Sequence, residues 1–423
     1  MKRIGNTLVV FLSLVFLITG CKSAQINRTI TKKLDSRFFE NQFTGFLVYD
    51  PATNDTLINY NASKYFTPAS NTKLVTFYTA LHYLPDSIPA FRYRVDGDTI
   101  SIKGTGDPTF LHPYFKDSTA LKFIAAYKKV KLVTNNLSDY RYGPGWSWDD
   151  FNEHYSPERT SFPMYGNVIT ISYPDSLICY PESLRTYVHL KKNNLRRAYN
   201  KNEFYYPENR TKPIEIPMVM DSLLIVNLWD SLAPGKVSLI SQAPRMTQTA
   251  YSVPLDSVLK RMLYVSDNFL AEQLLIMASS GRAYQLSSYW MRQRVLHHEL
   301  ADLKQEPRWV DGSGLSRYNL FTPTDFVQIL TKLYRELPRE RLFNLLPAGG
   351  VSGTLKYWYP GNPQPYIYAK SGSLSNNYSL SGYLITNKGK VLIFSFMNNH
   401  YKTKTALLKK QMQSIFEYLR DTY

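Results

Sequence analysis

Three short stretches of the chain carry side chains suited to acyl transfer, and each is built around a serine or a lysine. The first is Ser70-Asn71-Thr72-Lys73. On a helix, residues i and i+3 share a face, so Lys73 can reach the Ser70 hydroxyl. A serine hydroxyl becomes a nucleophile only when a base takes its proton. A lysine is that base only when burial or a nearby cation lowers its own proton affinity. A helix N-terminus would also offer N–H groups to a developing oxyanion. The second stretch is Ser266-Asp267-Asn268. Its hydroxyl can relay a proton, and its amide can orient both a lysine and a substrate carbonyl. The same three residue types are favoured at helix N-caps, so alone it reads as a helix start. The third is Lys370-Ser371-Gly372-Ser373. Lys370 would bring a second cation near Lys73 and help keep it neutral. The hydroxyls of Ser371 and Ser373 could receive a substrate carboxylate, and Gly372 would let a substrate lie close to the backbone. Taken singly, each stretch reads as a surface pair, a cap or a strand end. All three in this order, on helix, inter-helix loop and strand, are not readily produced by coincidence.

The elements that must position them follow from periodicity. A helix is expected over about 28–39, and strands over 44–49 and 56–60, with turn chemistry at Pro51-Ala52-Thr53-Asn54. Pro68 opens a helical stretch with apolar positions at Leu74, Val75, Tyr78, Leu81 and Leu84. From about 91 to 244 the texture changes to short strand-like pieces rich in Tyr, Asn and Pro. Helical periodicity returns at 255–263 and 269–277. Strands are expected at 367–369, 381–385 and 391–396, the last two joined by a hairpin at Asn387-Lys388-Gly389-Lys390, and a closing amphipathic helix at 406–419. The ends of the chain therefore read as α+β and the middle as β. The division expected is 1–20 as a leader, 21–90 and 245–423 as two parts of one domain, and 91–244 as an inserted β-rich region. Strands near the start and the end would share a sheet. A chain of 423 residues is also too long for a single core of ordinary size.

Composition narrows the setting. Hydrophobic residues make up 44% of the chain, which excludes wholesale disorder. A formal net charge of +17 fits either a solvated surface or attraction to an anionic polymer or lipid headgroup. No nucleic-acid motif accompanies it, so nucleic acid is not expected as a partner. Lys2 and Arg3 precede an apolar run, Leu8 to Ile18, that is too short for a comfortable membrane span and reads as a signal peptide. It ends in Ile18-Thr19-Gly20-Cys21, which resembles the lipobox of bacterial lipoproteins and implies a lipid anchor at Cys21. Lys22 follows the cysteine where inner-membrane retention would place Asp, which favours the outer membrane. With Cys21 lipidated, Cys179 has no disulfide partner.

The ordered set Ser-x-x-Lys, Ser-x-Asn and Lys-[Ser/Thr]-Gly is the one described for penicillin-recognising serine enzymes. More specifically, the chain resembles the class C low-molecular-mass penicillin-binding proteins, the D-alanyl-D-alanine carboxypeptidase/endopeptidase family. The resemblance runs from about Phe43 to Asn399. It includes Pro68-Ala69 before the first motif, Gly106-Asp107-Pro108-Thr109, Gly145-Trp146-Ser147-Trp148-Asp149-Asp150, Gly353-Thr354-Leu355-Lys356 and, most tellingly, Asp311-Gly312-Ser313-Gly314-Leu315-Ser316-Arg317. The long interval from Ser70 to Ser266 agrees with it. The insertion is somewhat short for the family, with trimming expected near 172–215, and Ser371 stands where threonine is commoner. The implied fold is an α/β/α sandwich with an antiparallel sheet, split by the insertion. The implied roles are nucleophile for Ser70, general base for Lys73, and proton shuttle for Ser266. Asn268 would hold Lys73 and the substrate amide. Lys370, Ser371 and Ser373 would bind the terminal carboxylate, and the N–H groups of Ser70 and Ser373 would form the oxyanion hole. Asp150, or its neighbour Asp149, would meet the free amino end of a diaminopimelyl side chain.

The reaction expected is hydrolysis of D-alanyl-D-alanine ends or D-alanyl cross-links of peptidoglycan stem peptides, with β-lactams acylating the same serine and no cofactor. Two alternatives stand beside it: a serine β-lactamase, and a non-catalytic lipoprotein that binds peptidoglycan. The seven histidines show no ligand spacing, and His297-His298 reads as a solvated helix end. Asp311 and Ser313 read as parts of a structural loop near the cleft. No His-Glu-x-x-His, Walker loop or Gly-x-Ser-x-Gly elbow supports metal, nucleotide or α/β-hydrolase chemistry.

Overall fold

The computed structural model describes residues 23–191, 195–208, 210, 212–283 and 285–423. The leader and Cys21 lie outside the described residues. Among the described residues no helix is long and apolar enough to cross a membrane.

Strands from both ends of the chain build one five-stranded sheet, in the order Ile367–Leu374, Asn377–Ile385, Val391–Asn399, Phe43–Asp50, Asp55–Tyr60. Every neighbouring pair is antiparallel. Phe46 lies opposite Phe396 and Leu47 opposite Ser395, so the first strand of the chain is held by the last. Alternation along Val391–Asn399 sends Ile393 and Met397 to one face and Leu392, Phe394 and Phe396 to the other. Both faces must therefore be covered. On one, residues 23–34 and the closing helix Thr405–Thr422 pack Ile26, Ile30, Leu408 and Phe416 against the sheet. On the other lie helices Lys73–Tyr83, Leu255–Tyr264, Asn268–Ala278 and Pro323–Glu336. The result is the α/β/α sandwich with an antiparallel sheet that the family resemblance implied.

The Lys73–Tyr83 helix is buried on all sides through its first turns, Lys73 to Ala80, so it is the central rod of its layer. Its partner Pro323–Glu336 is started by a capping box. Thr322 Oγ1 accepts from Asp325 N at 3.1 Å, and an Asp325 carboxylate oxygen accepts from Thr322 N at 2.8 Å.

The intervening chain forms a second core around Phe91, Ile102, Leu132, Ile171 and Trp229. Its main sheet has the order Val237–Leu239, Lys129–Val133, Thr99–Gly104, Ser87–Asp96, Gln248–Pro254. Two of the pairings are parallel, and the helix Thr119–Ala125 makes the crossover between Thr99–Gly104 and Lys129–Val133. Shorter sheets join Ile214–Pro217, Val168–Ser172 and Ile178–Tyr180, and Val188–Leu190 with Phe204–Tyr206. The main sheet takes in residues on both sides of the expected limits of 91 and 244, because Ser87–Asp96 pairs with Gln248–Pro254. The region also contains the helix Ser222–Leu232, capped by Asp221, whose carboxylate accepts from Leu224 N at 2.8 Å. Cys179 is buried in this core, and burial pushes its thiol up to about 11.

Candidate active site

Ser70 sits in a single 3₁₀ turn, Ala69–Thr72, that runs straight into the central helix. Three side-chain contacts fix that turn. Thr72 Oγ1 donates to Ala69 O at 2.9 Å, Asn71 Nδ2 donates to Ser381 Oγ at 2.7 Å, and Thr67 N donates to Asn399 Oδ1 at 2.9 Å. Ala69 is held at φ 48°, a conformation that L-residues seldom adopt, so the turn is kept by its neighbours rather than by local preference.

The i, i+3 relation then acts as expected. Lys73 Nζ lies 3.0 Å from Ser70 Oγ. The same amine donates to Asn268 Oδ1 at 2.6 Å and to Ser313 O at 2.7 Å. Asn268 is the first residue of the helix Asn268–Ala278, whose cap is Asp267, accepting from Leu270 N at 3.1 Å. The cap and the catalytic reading of Ser266-Asp267-Asn268 are therefore compatible. Asp267 caps, while Asn268 turns inward and also donates its Nδ2 to Tyr155 O at 2.9 Å. Ser266 is held at φ 61°, and its Oγ receives a hydrogen bond from Lys370 Nζ at 2.9 Å. Two amine–hydroxyl pairs thus face each other, Lys73 with Ser70 and Lys370 with Ser266.

Both lysines are fully buried. Burial is the main cause that lowers Lys73 to about 8, and the carboxylates of Asp311, Asp267 and Glu272 act against it. Lys370 is pushed well below the ordinary lysine value, first by burial and then by the charge of Lys73. Two ammonium groups are not cheaply held in one buried site, so charge on Lys73 disfavours charge on Lys370.

Lys370-Ser371-Gly372-Ser373 lies inside the strand Ile367–Leu374 rather than at its end, with Lys370 opposite Ser381 and Ser373 opposite Tyr378. Gly372 serves a different contact from the one expected. A Cβ there would stand 2.4 Å from Pro68 O and 3.0 Å from Ser70 N, so its bare backbone lets the strand touch the turn that carries Ser70. Ser373 lines the cleft, whereas Ser371 Oγ donates to Thr354 Oγ1 at 2.7 Å. The cleft holds about 690 Å³ and is lined by Ser70, Ser266, Asn268, Ser373, Asp149 and Asp150 among others. Asp150 accepts from Tyr155 OH at 2.7 Å, and Asp149 accepts from Ser147 Oγ at 2.6 Å.

The Asp311–Arg317 loop is structural at its start. The buried Asp311 carboxylate accepts from Trp146 Nε1 at 2.9 Å, Gly314 N at 2.8 Å, Ser316 N at 2.7 Å and Asn319 Nδ2 at 2.8 Å. Gly314 N, held by Asp311, belongs to the same peptide group as Ser313 O, so that bond aims the carbonyl at Lys73, while Glu272 Oε1 accepts from Ser313 N at 2.8 Å on the preceding peptide. Burial, and then the Asp311 charge, push Glu272 up to about 7. The carbonyls of Ser313 and Tyr155 are the site atoms that the sequence did not reveal. Ser313 stood in a motif already singled out, but nothing in residue type announces a backbone acceptor. Arg317, the last residue of the Asp311–Arg317 motif, also lines the cleft, as does Ser375, which no motif contained.

The model of the D-Ala-D-Ala carboxypeptidase 3 (S13) family matches residues 26–175 and 232–420. The chain belongs to this family. It is 23% identical to the D-alanyl-D-alanine carboxypeptidase DacB of Haemophilus influenzae, over 93% of this chain and 92% of that one. It is 23% identical to penicillin-sensitive carboxypeptidase A of Dictyostelium discoideum, over 80% of this chain and 78% of that one. The crystal structure of penicillin-binding protein 4 from H. influenzae shares its fold with TM-score 0.73 and 21% identity, covering 93% and 99% of the two chains. The peptidoglycan endopeptidase Bd3459 of Bdellovibrio bacteriovorus follows with TM-score 0.53 and 16% identity, covering 90% and 92%. The expected family, the penicillin-recognising fold and the serine D-Ala-D-Ala carboxypeptidase class are thereby borne out. The family match leaves out residues 176–231, which overlaps the stretch where trimming was expected.

Proposed function

We propose that this S13-family serine D,D-peptidase acts through a covalent acyl-enzyme on Ser70. The reading is carried by one observation: a buried lysine with lowered proton affinity, 3.0 Å from a serine hydroxyl at the wall of an open cleft. Lys73 in its neutral form takes the Ser70 proton as Oγ attacks the carbonyl of the penultimate D-alanine. The N–H groups of Ser70 and Ser373 receive the oxyanion, each such donor contributing about 3 kcal/mol. Ser266, linked to Lys370, passes a proton to the leaving amine, and Asn268 holds Lys73 in register. Lys370 and Ser373 supply charge and a hydroxyl for the terminal carboxylate, with Ser371 and Gly372 supporting the strand that carries them. Water then releases the acyl group by the same route in reverse. Asp150 is the candidate partner for a cationic substrate side chain.

The substrates proposed are stem peptides of peptidoglycan, with terminal D-alanine release and cross-link cleavage both open to the cleft, and β-lactams acylating Ser70. A lipid on Cys21 would hold the enzyme in the cell envelope, at the outer membrane. Residues 21–90 and 245–423 would form the two parts of one domain and 91–244 the insertion, whose main sheet also draws in flanking residues of Ser87–Asp96 and Gln248–Pro254. A fluorescent penicillin should label the wild type and not Ser70→Ala; equal labelling of both removes Ser70 from the mechanism. Digestion of muropeptides with mass analysis then separates loss of one D-alanine from conversion of dimers to monomers.

A further inference from the structure

The main sheet of the inserted region has one packed face and one open face. Phe91, Ile100, Ile102, Val130 and Leu132 point into the core. Alternation therefore sends Arg92, Arg94, Ser101, Lys103 and Lys131 to the other side. The register lines these up across the strands: Arg92 opposite Lys103, Arg94 opposite Ser101, and Ser101 opposite Lys131. Like charges placed directly across a ladder are unfavourable, and burial together with Arg92 pushes Lys103 down. Among the described residues no ion pair engages Arg92, Arg94, Lys131 or Arg245. The segment Ser241–Pro244 crosses this face and divides it into two clefts of about 750 Å³ each. Arg92, Lys103 and Arg245 line one, and Arg94 and Lys131 line the other, where Asp96 is the lone acid.

We propose that this basic face binds the carboxylate-bearing cell-wall polymer on which the enzyme acts, at a site separate from the catalytic cleft. The proposal rests on the peptidase reading in one respect: a polymer carrying many peptides that end in D-alanine carries a carboxylate at each end, and is a polyanion. The clefts suit a thread rather than a bilayer, because a strap interrupts the face and polar residues such as Asn135, Ser241 and Gln242 line it. No aromatic ring lines either cleft, so bases would have nothing to stack on. Holding neighbouring peptides here raises the local concentration of the peptide that enters the Ser70 cleft.

The test uses the full chain carrying Ser70→Ala, so that the polymer stays uncut, sedimented with insoluble cell-wall polymer from low salt to about 0.5 M. Combining Arg92→Glu, Arg94→Glu and Lys131→Glu should weaken retention at least about tenfold at low salt and flatten its salt dependence. The matching glutamine triple variant should fall between the two, which guards against a folding defect in the charge-reversed chain. In the active enzyme the same changes should slow release of D-alanine from the insoluble polymer and leave hydrolysis of a soluble D-Ala-D-Ala peptide unchanged. Equal sedimentation of wild type and charge-reversed chains at every salt overturns the proposal. So does a loss confined to binding of phosphatidylglycerol vesicles, which would make the face a membrane contact. If the wild type fails on the soluble peptide, the peptidase reading falls, while the sedimentation result still decides whether the face binds the polymer.

Discussion

Lys73→Met gives the sharpest test of how the site works. The native amine is lowered from 10.5 to about 8, chiefly by burial. Such a shift corresponds to roughly 3 kcal/mol between the two protonation states. Because the folded value is the lower one, the unfolded chain binds more protons between about pH 8 and pH 10.5. Wild-type stability must therefore rise with pH across that window, and below it the full cost is present. Relative to Lys73→Met, the wild type should gain about 2.5 kcal/mol between pH 7 and pH 10. The acceptors left behind, Asn268 Oδ1 and Ser313 O, do not titrate and cannot imitate the slope. Lys370, relieved of its cationic neighbour in the variant, changes the comparison in the same direction. Denaturant midpoints of both proteins across pH 7–10 measure the effect. The catalytic counterpart is the rate of penicillin acylation by wild type. It should climb nearly tenfold per pH unit below about 8 and level above it, as the neutral amine becomes the main form. A stability gap that is flat from pH 7 to pH 10, or an acylation rate that is flat from pH 6 to pH 9, would refute a buried, depressed Lys73 as the base.

Other expectations follow from single contacts. Gly314 has φ +81°, and a Cβ there would stand 1.9 Å from Ala69 O; Gly314→Ala should displace the nucleophile turn and cost about 3 kcal/mol or more in chemical denaturation. The control Gly97→Ala, at φ +55° with open space around it, should cost only about 1 kcal/mol. Asn268→Ala removes the 2.6 Å contact to Lys73 and the one to Tyr155 O, and should slow acylation by about 10²-fold or more with little change in far-UV circular dichroism. Asp311→Asn removes a negative charge that holds Lys73 up. The acylation profile should then move to lower pH, and the loss of a carboxylate accepting four N–H donors should lower the melting temperature. Ser371→Thr should keep the bond to Thr354 and near-wild-type acylation, whereas Ser371→Ala should lose about 1 kcal/mol of stability.

The sequence revealed the site better than it revealed the elements that carry it. Ser70 and Lys73 lie one turn apart, so their meeting needs only the turn Ala69–Thr72 and the helix it runs into. The strand at Ile367–Leu374 was read as ending at Ala369, because Lys370, Ser371 and Gly372 are weak strand formers. Pairing with Asn377–Ile385 overrides that preference. The N-terminal helix was expected over 28–39 but occupies 23–34. Phe38 and Phe39 pack from turns that follow it. In the inserted region, the parallel pairing of Thr99–Gly104 with Lys129–Val133 is a long-range choice that no local pattern dictates. The start of the helix Pro323–Glu336 is written locally, in the capping signal of Thr322, Pro323 and Asp325.

The inserted region helps to build the candidate site rather than standing apart from it. Its Tyr155 carbonyl holds Asn268, which in turn holds Lys73. Its Trp146 indole donates to Asp311, the carboxylate that organises the loop whose Ser313 carbonyl also meets Lys73. Gln273, on the helix that begins at Asn268, donates to the carbonyls of Gly106 and Thr160 at 2.9 Å and accepts from Thr160 N at 3.2 Å. Arg159 faces Glu272 at 3.5 Å, within the same buried layer. Two of the three groups that hold Lys73 thus depend on residues of the inserted region. Burial of an amine against its preference for water demands rigid partners on every side. Changes at Tyr155 or Trp146 should therefore reach Lys73 through Asn268 and Asp311, although neither residue touches it.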